Sequence, residues 1–232
     1  MGRVHRAPPI LITLSGCPNF RDLGGHQTAD GRRVRTGRVF RSDSLHGLTD
    51  DDVTEVRRLG VVTVYDLRMQ EEIDEYGVGP LYDGERAARY VHAPLFETTP
   101  ARWLASTEPY TADRVGREYS EMLELGAESI CRIAADLGCE DNLPAVFHCM
   151  AGRDRTGVVA AVVLSTIGVP LDAVAADYAR TGEFIPEPAI VPGAIEWALE
   201  RMEREYGSAA KYLRAAGVTD GDIDALQGSL LE

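Results

Sequence analysis

The chain has 232 residues, 44% hydrophobic and 26% charged, with a formal net charge of −13. That length suits one domain, expected to span residues 1–232, with enough surface buried to fold without disulfides. Its acidity argues against a surface built to bind nucleic acid or anionic lipid, and no apolar run approaches the roughly 20 residues of a membrane helix.

At the N-terminus, Ile10-Leu11-Ile12-Thr13-Leu14 is too short for the apolar stretch of a signal peptide, so the expected compartment is the cytoplasm. The turn signals Leu23-Gly24-Gly25 and Asp30-Gly31 precede a short strand, Val39-Phe40-Arg41. Arg32, Arg33, Arg35, Arg38 and Arg41 crowd this stretch. A hairpin edge carrying alternating charge explains the cluster better than an anion patch, because arginine is used throughout and Lys211 is the single lysine. Thr49 is placed to N-cap a helix that opens on Asp50, Asp51 and Asp52 and stops at Gly60. The β-branched run Val61-Val62-Thr63-Val64-Tyr65 predicts a buried strand, and Tyr90-Val91-His92-Ala93-Pro94-Leu95 another. Residues 96–112, rich in threonine and proline, are expected to form a mobile loop. Val115, Tyr119, Met122, Ile130, Ile133 and Leu137 recur at helical spacing, with Gly126 as the weak point. Ala145-Val146-Phe147-His148 is a short buried strand, followed by a helix from about Arg155 to Ile167 that Gly168 and Pro170 close. Beyond Leu171 the composition is helical, interrupted over 182–193 by Pro186, Pro188 and Pro192. This alternation predicts an α/β fold: a central mixed, partly parallel sheet flanked by helices, with a helical C-terminal part.

The chemistry concentrates where the strand ending at His148 feeds a helix through Cys149-Met150-Ala151-Gly152-Arg153-Asp154-Arg155-Thr156-Gly157. Ligands bind at the carboxyl ends of strands in open α/β sheets, and a loop entering a helix N-terminus turns backbone N–H groups toward an anion. Cys149 lies where Met150, Ala151, Gly152, Arg153, Asp154 and Arg155 present those groups, and Arg155 follows at a spacing that lets its guanidinium close a ring around a phosphate. Such surroundings favour a thiolate. Gly152 permits close backbone approach, and Thr156 is placed to hydrogen-bond the sulfur.

This segment resembles the signature loop of protein tyrosine phosphatases, nearest to a bacterial tyrosine and lipid phosphatase branch with the pattern His-Cys-x-x-Gly-Lys-Asp-Arg-Thr-Gly. Asn19-Phe20-Arg21-Asp22-Leu23-Gly24-Gly25, Phe40-Arg41-Ser42, Asp66-Leu67-Arg68 and the stretch from Tyr206-Gly207-Ser208 to Tyr212-Leu213-Arg214 extend the likeness over most of the chain. Arg153 stands where the branch has lysine, and 182–193 offers little room for the two-helix lid of some members. The resemblance implies a cysteine-based phosphatase fold and hydrolysis of phosphotyrosine, with phosphoserine, phosphothreonine or phosphoinositides as further substrates. It implies a phosphocysteine on Cys149, Arg155 as the phosphate clamp and Asp154 as general acid.

Asp66 is a second candidate acid, weighed against a salt bridge to Arg68 or Arg21, and Glu97 a third. His148, on a strand, should point away from the cysteine and fix the loop. Trp103 is a candidate substrate-facing aromatic, and Trp197 a core residue. No cofactor or metal is expected, since Cys17, Cys131, Cys139 and Cys149 lack zinc-type spacing. Two other functions fit the loop: phosphate recognition without turnover, and a thiol redox enzyme of arsenate-reductase type with Cys131 or Cys139 as resolving partner.

Overall fold

The computed structural model describes residues 12–82, 87–185 and 190–232. Ile10 and Leu11 of the N-terminal apolar run, and Pro186 and Pro188 of the 182–193 segment, lie outside the described residues.

Five described strands, β1 (Arg21–Asp22), β2 (Val39–Ser42), β3 (Thr63–Asp66), β4 (Arg89–His92) and β5 (Ala145–His148), form one sheet in the order β1-β2-β5-β3-β4. Only the β1–β2 pair is antiparallel. The expected mixed, partly parallel sheet is therefore present, and its parallel register lines up Ser42, His148, Asp66 and His92 in one row at the carboxyl edge. Period-two alternation sorts the strand residues into two cores. Val39, Tyr65, Ala145 and Phe147 face the helical layer. Phe40, Val64 and Val146 face a smaller cluster with Leu14, Cys17, Phe20, Val53 and Val56.

The smaller face is covered by α1 (Asp50–Arg58), where Thr49 and Asp52 cap each other's backbone N–H groups. The Asp52 carboxylate also accepts from the amides of Ser15 and Gly16, which fastens the incoming chain. Next, α2 (Gln70–Tyr76) is a helix that the sequence pattern did not single out; its seven residues are too few for a periodic signal. The segment expected to be a loop over 96–112 contains a short helix, α3 (Ala101–Leu104). The single helix expected through Leu137 is two, α4 (Ala112–Leu125) and α5 (Ala127–Asp136). The break falls at Gly126, where a Cβ would come within 2.7 Å of the Leu95 side chain. Then α6 (Asp154–Thr166), buried along nearly its whole length, follows β5. The C-terminal part is helical as expected: α7 (Leu171–Ala179), α8 (Ala194–Tyr206), α9 (Ala209–Ala215) and α10 (Asp220–Leu230). Trp197 on α8 is half-buried, with Gly116 of α4 tight against its ring.

Candidate active site

The loop between β5 and α6 is held from behind. Ser44 N donates to the Met150 carbonyl at 2.9 Å, Asn19 Nδ2 to Ala151 at 3.0 Å, and Arg41 Nη2 to Gly152 at 2.8 Å. In a trans peptide the N–H points opposite to its C=O. Pinning these three carbonyls outward therefore turns the amides of Ala151, Gly152 and Arg153 toward the concave side. The unpaired first amides of α6 join them there. Gly152 has φ +65°, and a Cβ on it would meet the Ser42 carbonyl at 2.5 Å, so only glycine satisfies both the turn and the contact.

Two of the three pins, Asn19 and Arg41, belong to one buried network. Asp177 of α7 accepts from Arg41 Nη1 at 2.5 Å and from Arg21 Nε at 3.1 Å. Arg21 also donates to Asn19 Oδ1, leaving Asn19 Nδ2 for the loop. Burial works against the Asp177 carboxylate, but the charges of Arg41 and Arg21 overcome it and hold the group down at about 2. Burial, with repulsion from Arg41, lowers Arg21 to about 10. The arginine cluster is thus divided in role. Arg41 is fully buried behind the loop, whereas Arg32 and Arg38 pair with Asp30 and Glu140 near the surface.

Cys149 is 2% exposed at the base of this cradle. Arg155 emerges from the first turn of α6, and Glu72 of α2 grips it with two bonds, Nη1 to Oε2 at 2.5 Å and Nη2 to Oε1 at 2.8 Å. Burial opposes the guanidinium charge, but the bonds to Glu72 and the neighbouring Cys149 and Asp154 charges push Arg155 above its ordinary value. The Phe96 ring lies 5.6 Å from the Arg155 guanidinium carbon. Phe96 in turn meets Trp103 edge-on, and the Trp103 indole N–H donates to Glu121 of α4. A groove of about 600 Å³ adjoins this wall, lined by Phe96, Glu97, Arg102, Glu128 and Arg132 among others.

Asp154, the first residue of α6, accepts from Tyr119 Oη at 2.5 Å and from Arg153 Nε at 3.0 Å. Thr156 Oγ1 is buried without a hydrogen-bond partner, so its hydroxyl is unspent. Asp66 is fully buried, and Arg68 binds both of its oxygens. Tyr90 Oη adds a bond to Oδ2 at 3.2 Å. His148 is also fully buried; its Nδ1 lies 3.2 Å from the Cys149 carbonyl and its Nε2 3.7 Å from Asp66. Burial pushes its imidazole below the ordinary value. Glu97 is exposed at the groove. Cys131 Sγ points toward the Leu213 carbonyl, and Cys139 is exposed.

Three contributors escaped sequence reasoning. Glu72 lies 83 positions from Arg155, Asp177 136 from Arg41, and Tyr119 35 from Asp154, well outside any contiguous motif. Glu72 left one faint signal, a glutamate placed to cap the Met69 amide just after Asp66-Leu67-Arg68.

A family model described as "Tyrosine phosphatase family" matches residues 12–232. The triple specificity protein phosphatase PtpB of Mycobacterium tuberculosis is 27% identical, over 94% of this chain and 98% of its own length. A putative tyrosine-protein phosphatase of Cupriavidus necator is 28% identical, over 92% of this chain and 85% of its own. Among solved structures, TpbA of P. aeruginosa in complex with pTyr aligns with TM-score 0.35 and 17% identity, covering 85% of this chain and 88% of that one.

Proposed function

The chain belongs to the tyrosine phosphatase family, and from that premise we propose how its residues divide the reaction. It is a cysteine-based phosphatase, a hydrolase of phosphoric monoesters. Cys149 attacks phosphorus as the thiolate; an S–P bond forms while the P–O bond to the leaving group breaks. Asp154 gives its proton to the departing oxygen. Water then attacks the phosphocysteine, a proton returns to Asp154, and S–P cleavage frees inorganic phosphate and the thiolate. Amides from Met150 to Arg155, with the Arg155 guanidinium, hold the equatorial oxygens through both steps. Thr156, whose hydroxyl is unspent, donates to the sulfur as the phosphoryl group leaves.

Asp66 serves as a structural anion, because Arg68 and Tyr90 already occupy its buried oxygens. Substrates are phosphorylated proteins, with phosphotyrosine first. We extend the range to phosphoserine, phosphothreonine and phosphoinositides, in keeping with the triple specificity in the name of the mycobacterial relative. One domain carries the activity, in the cytoplasm; no described helix is long and apolar enough to cross a membrane.

The observation that carries the proposal is the pinning of the Met150, Ala151 and Gly152 carbonyls, which leaves amides and the Glu72-held Arg155 for one anion. Hydrolysis of an aryl phosphate by the wild type and by Cys149→Ser tests it. Turnover should fall to background in the variant, and equal rates would refute the nucleophile. Inactivity of both, with phosphopeptide binding intact, would point instead to a recognition module.

A further inference from the structure

Behind Asp154 lies a second tyrosine. Tyr119 of α4 and Tyr178 of α7 are 2% and 3% exposed. Their hydroxyls are 2.6 Å apart, and Tyr119 Oη is 2.5 Å from Asp154 Oδ1. A phenol carries one proton. Tyr119 spends its proton on Asp154, so the contact between the phenols is donated by Tyr178. Three groups from three helices thus form one directed chain, Tyr178 to Tyr119 to Asp154. The rings meet edge-on at 5.9 Å. The second ring approaches this closely because residue 157 is glycine; a Cβ there would lie 2.9 Å from Tyr178 Cδ2. Burial pushes both phenols above their ordinary values, so both keep their protons.

We infer that Tyr119 and Tyr178 are positioning residues for proton transfer, a serial relay that fixes the Asp154 carboxyl and stabilises its charge as the proton departs. The inference rests on the reading of Asp154 as general acid. Tyr119 occupies Oδ1, which directs the transferable proton to Oδ2. Arg153 Nε reaches both oxygens, at 3.0 and 3.2 Å, and steadies the carboxyl plane. Negative charge grows on Asp154 as it protonates the leaving oxygen, and a hydrogen bond to a charged acceptor strengthens accordingly. Tyr178, donating to the Tyr119 oxygen, makes Tyr119 the better donor.

The test measures kcat/KM over aryl phosphates ranging from dinitrophenyl to phenyl, for Tyr119→Phe, Tyr178→Phe, the double variant and Asp154→Asn. A poor leaving group needs the proton and a good one does not, so a packing defect alone would slow the whole series alike. Tyr119→Phe should lower phenyl phosphate turnover about tenfold, and dinitrophenyl phosphate less than about twofold, a fraction of the full effect of a general acid. Tyr178→Phe should give about a threefold loss with the same dependence, and add little in the Tyr119→Phe background, as a serial relay requires. Tyr178→Phe keeps every contact of Asp154 itself and carries the test if Tyr119→Phe unfolds. If Asp154→Asn depends on the leaving group but both tyrosine variants lose activity uniformly or not at all, the relay is refuted and the acid stands. Additive losses in the double variant also refute it. A uniform loss in Asp154→Asn overturns the acid, and the relay with it.

Discussion

Glu72 and Arg155 meet through two parallel hydrogen bonds, which ties the first turn of α2 to the first turn of α6 across the carboxyl edge of the sheet. The pair is not merely a surface bridge, since the two side chains are 16% and 12% exposed. Its geometry fixes the plane of the guanidinium before any substrate arrives. Glu72→Gln is therefore expected to lower kcat/KM on an aryl phosphate about tenfold, and Glu72→Ala about a hundredfold, both chiefly through weaker phosphate binding. Competition by inorganic phosphate checks the assignment, because its inhibition constant should rise in parallel. Unchanged inhibition would mean that Arg155 orients itself without Glu72.

Asp177 neutralises two buried guanidinium groups at once. Removing one partner of such a cluster leaves uncompensated charge in the interior, at a cost of about 3–5 kcal/mol. Asp177→Ala should lower the unfolding free energy by about that amount in a denaturant titration. The sign with pH follows from a carboxyl depressed from 3.8 to about 2. Its contribution is complete above the ordinary value and is lost as pH falls from about 4 to 2. The stability gap between wild type and variant should narrow as pH falls through that window.

Asp43 runs the other way. Burial raises it from 3.8 to about 6, although the Ser42 hydroxyl and the Asn19 amide donate to it. The folded protein holds this proton to higher pH than the unfolded chain does. The site's stabilisation is therefore full below about 4 and is lost as pH rises through about 6. Asp43→Asn keeps an oxygen for both donors and abolishes the loss. It should gain about 1–2 kcal/mol at pH 7.5 and almost nothing at pH 4, as denaturation at the two pH values would reveal.

Gly157→Ala should be destabilising despite the better helix propensity of alanine. The added methyl would sit 2.9 Å from the Tyr178 ring, with Arg41 Nη2 at 3.6 Å on the same side. Overpacking of this kind costs about 1–3 kcal/mol. A Tm reduced by several degrees is the expected outcome, and an unchanged Tm would show that Tyr178 has room to retreat.

These residues mark what a sequence can disclose. The loop from His148 to Gly157 was legible because one strand, one turn and one helix start are contiguous, and each carries a local signature. The sheet was legible in part: β3 and β5 read as apolar runs, β2 and β4 as short strands, and the alternation with helices implies a partly parallel sheet, whereas the strand order does not follow from the sequence. What stayed hidden depends on register. Asp66 and His148 share a row only because β3 pairs with β5, and that pairing brings Glu72, six residues further on, to Arg155. Asp177 and Tyr178 arrive from α7, a helix whose short sequence carries no motif. Gly126 reads as a weak point in the sequence, but its role as a break between α4 and α5 depends on Leu95 packing there.

The carbonyls of Met150, Ala151 and Gly152 are anchored by Ser44, Asn19 and Arg41 rather than by a ligand. Little ordering is then left for the anion to induce, so binding and folding share one free-energy ledger. An oxyanion that fills the cradle stabilises the native chain by RT ln(1 + [L]/Kd), about 2.7 kcal/mol at a hundredfold excess over Kd. Thermal shifts in phosphate or tungstate would thus report affinity without turnover. They would do so equally well for variants that have lost the nucleophile.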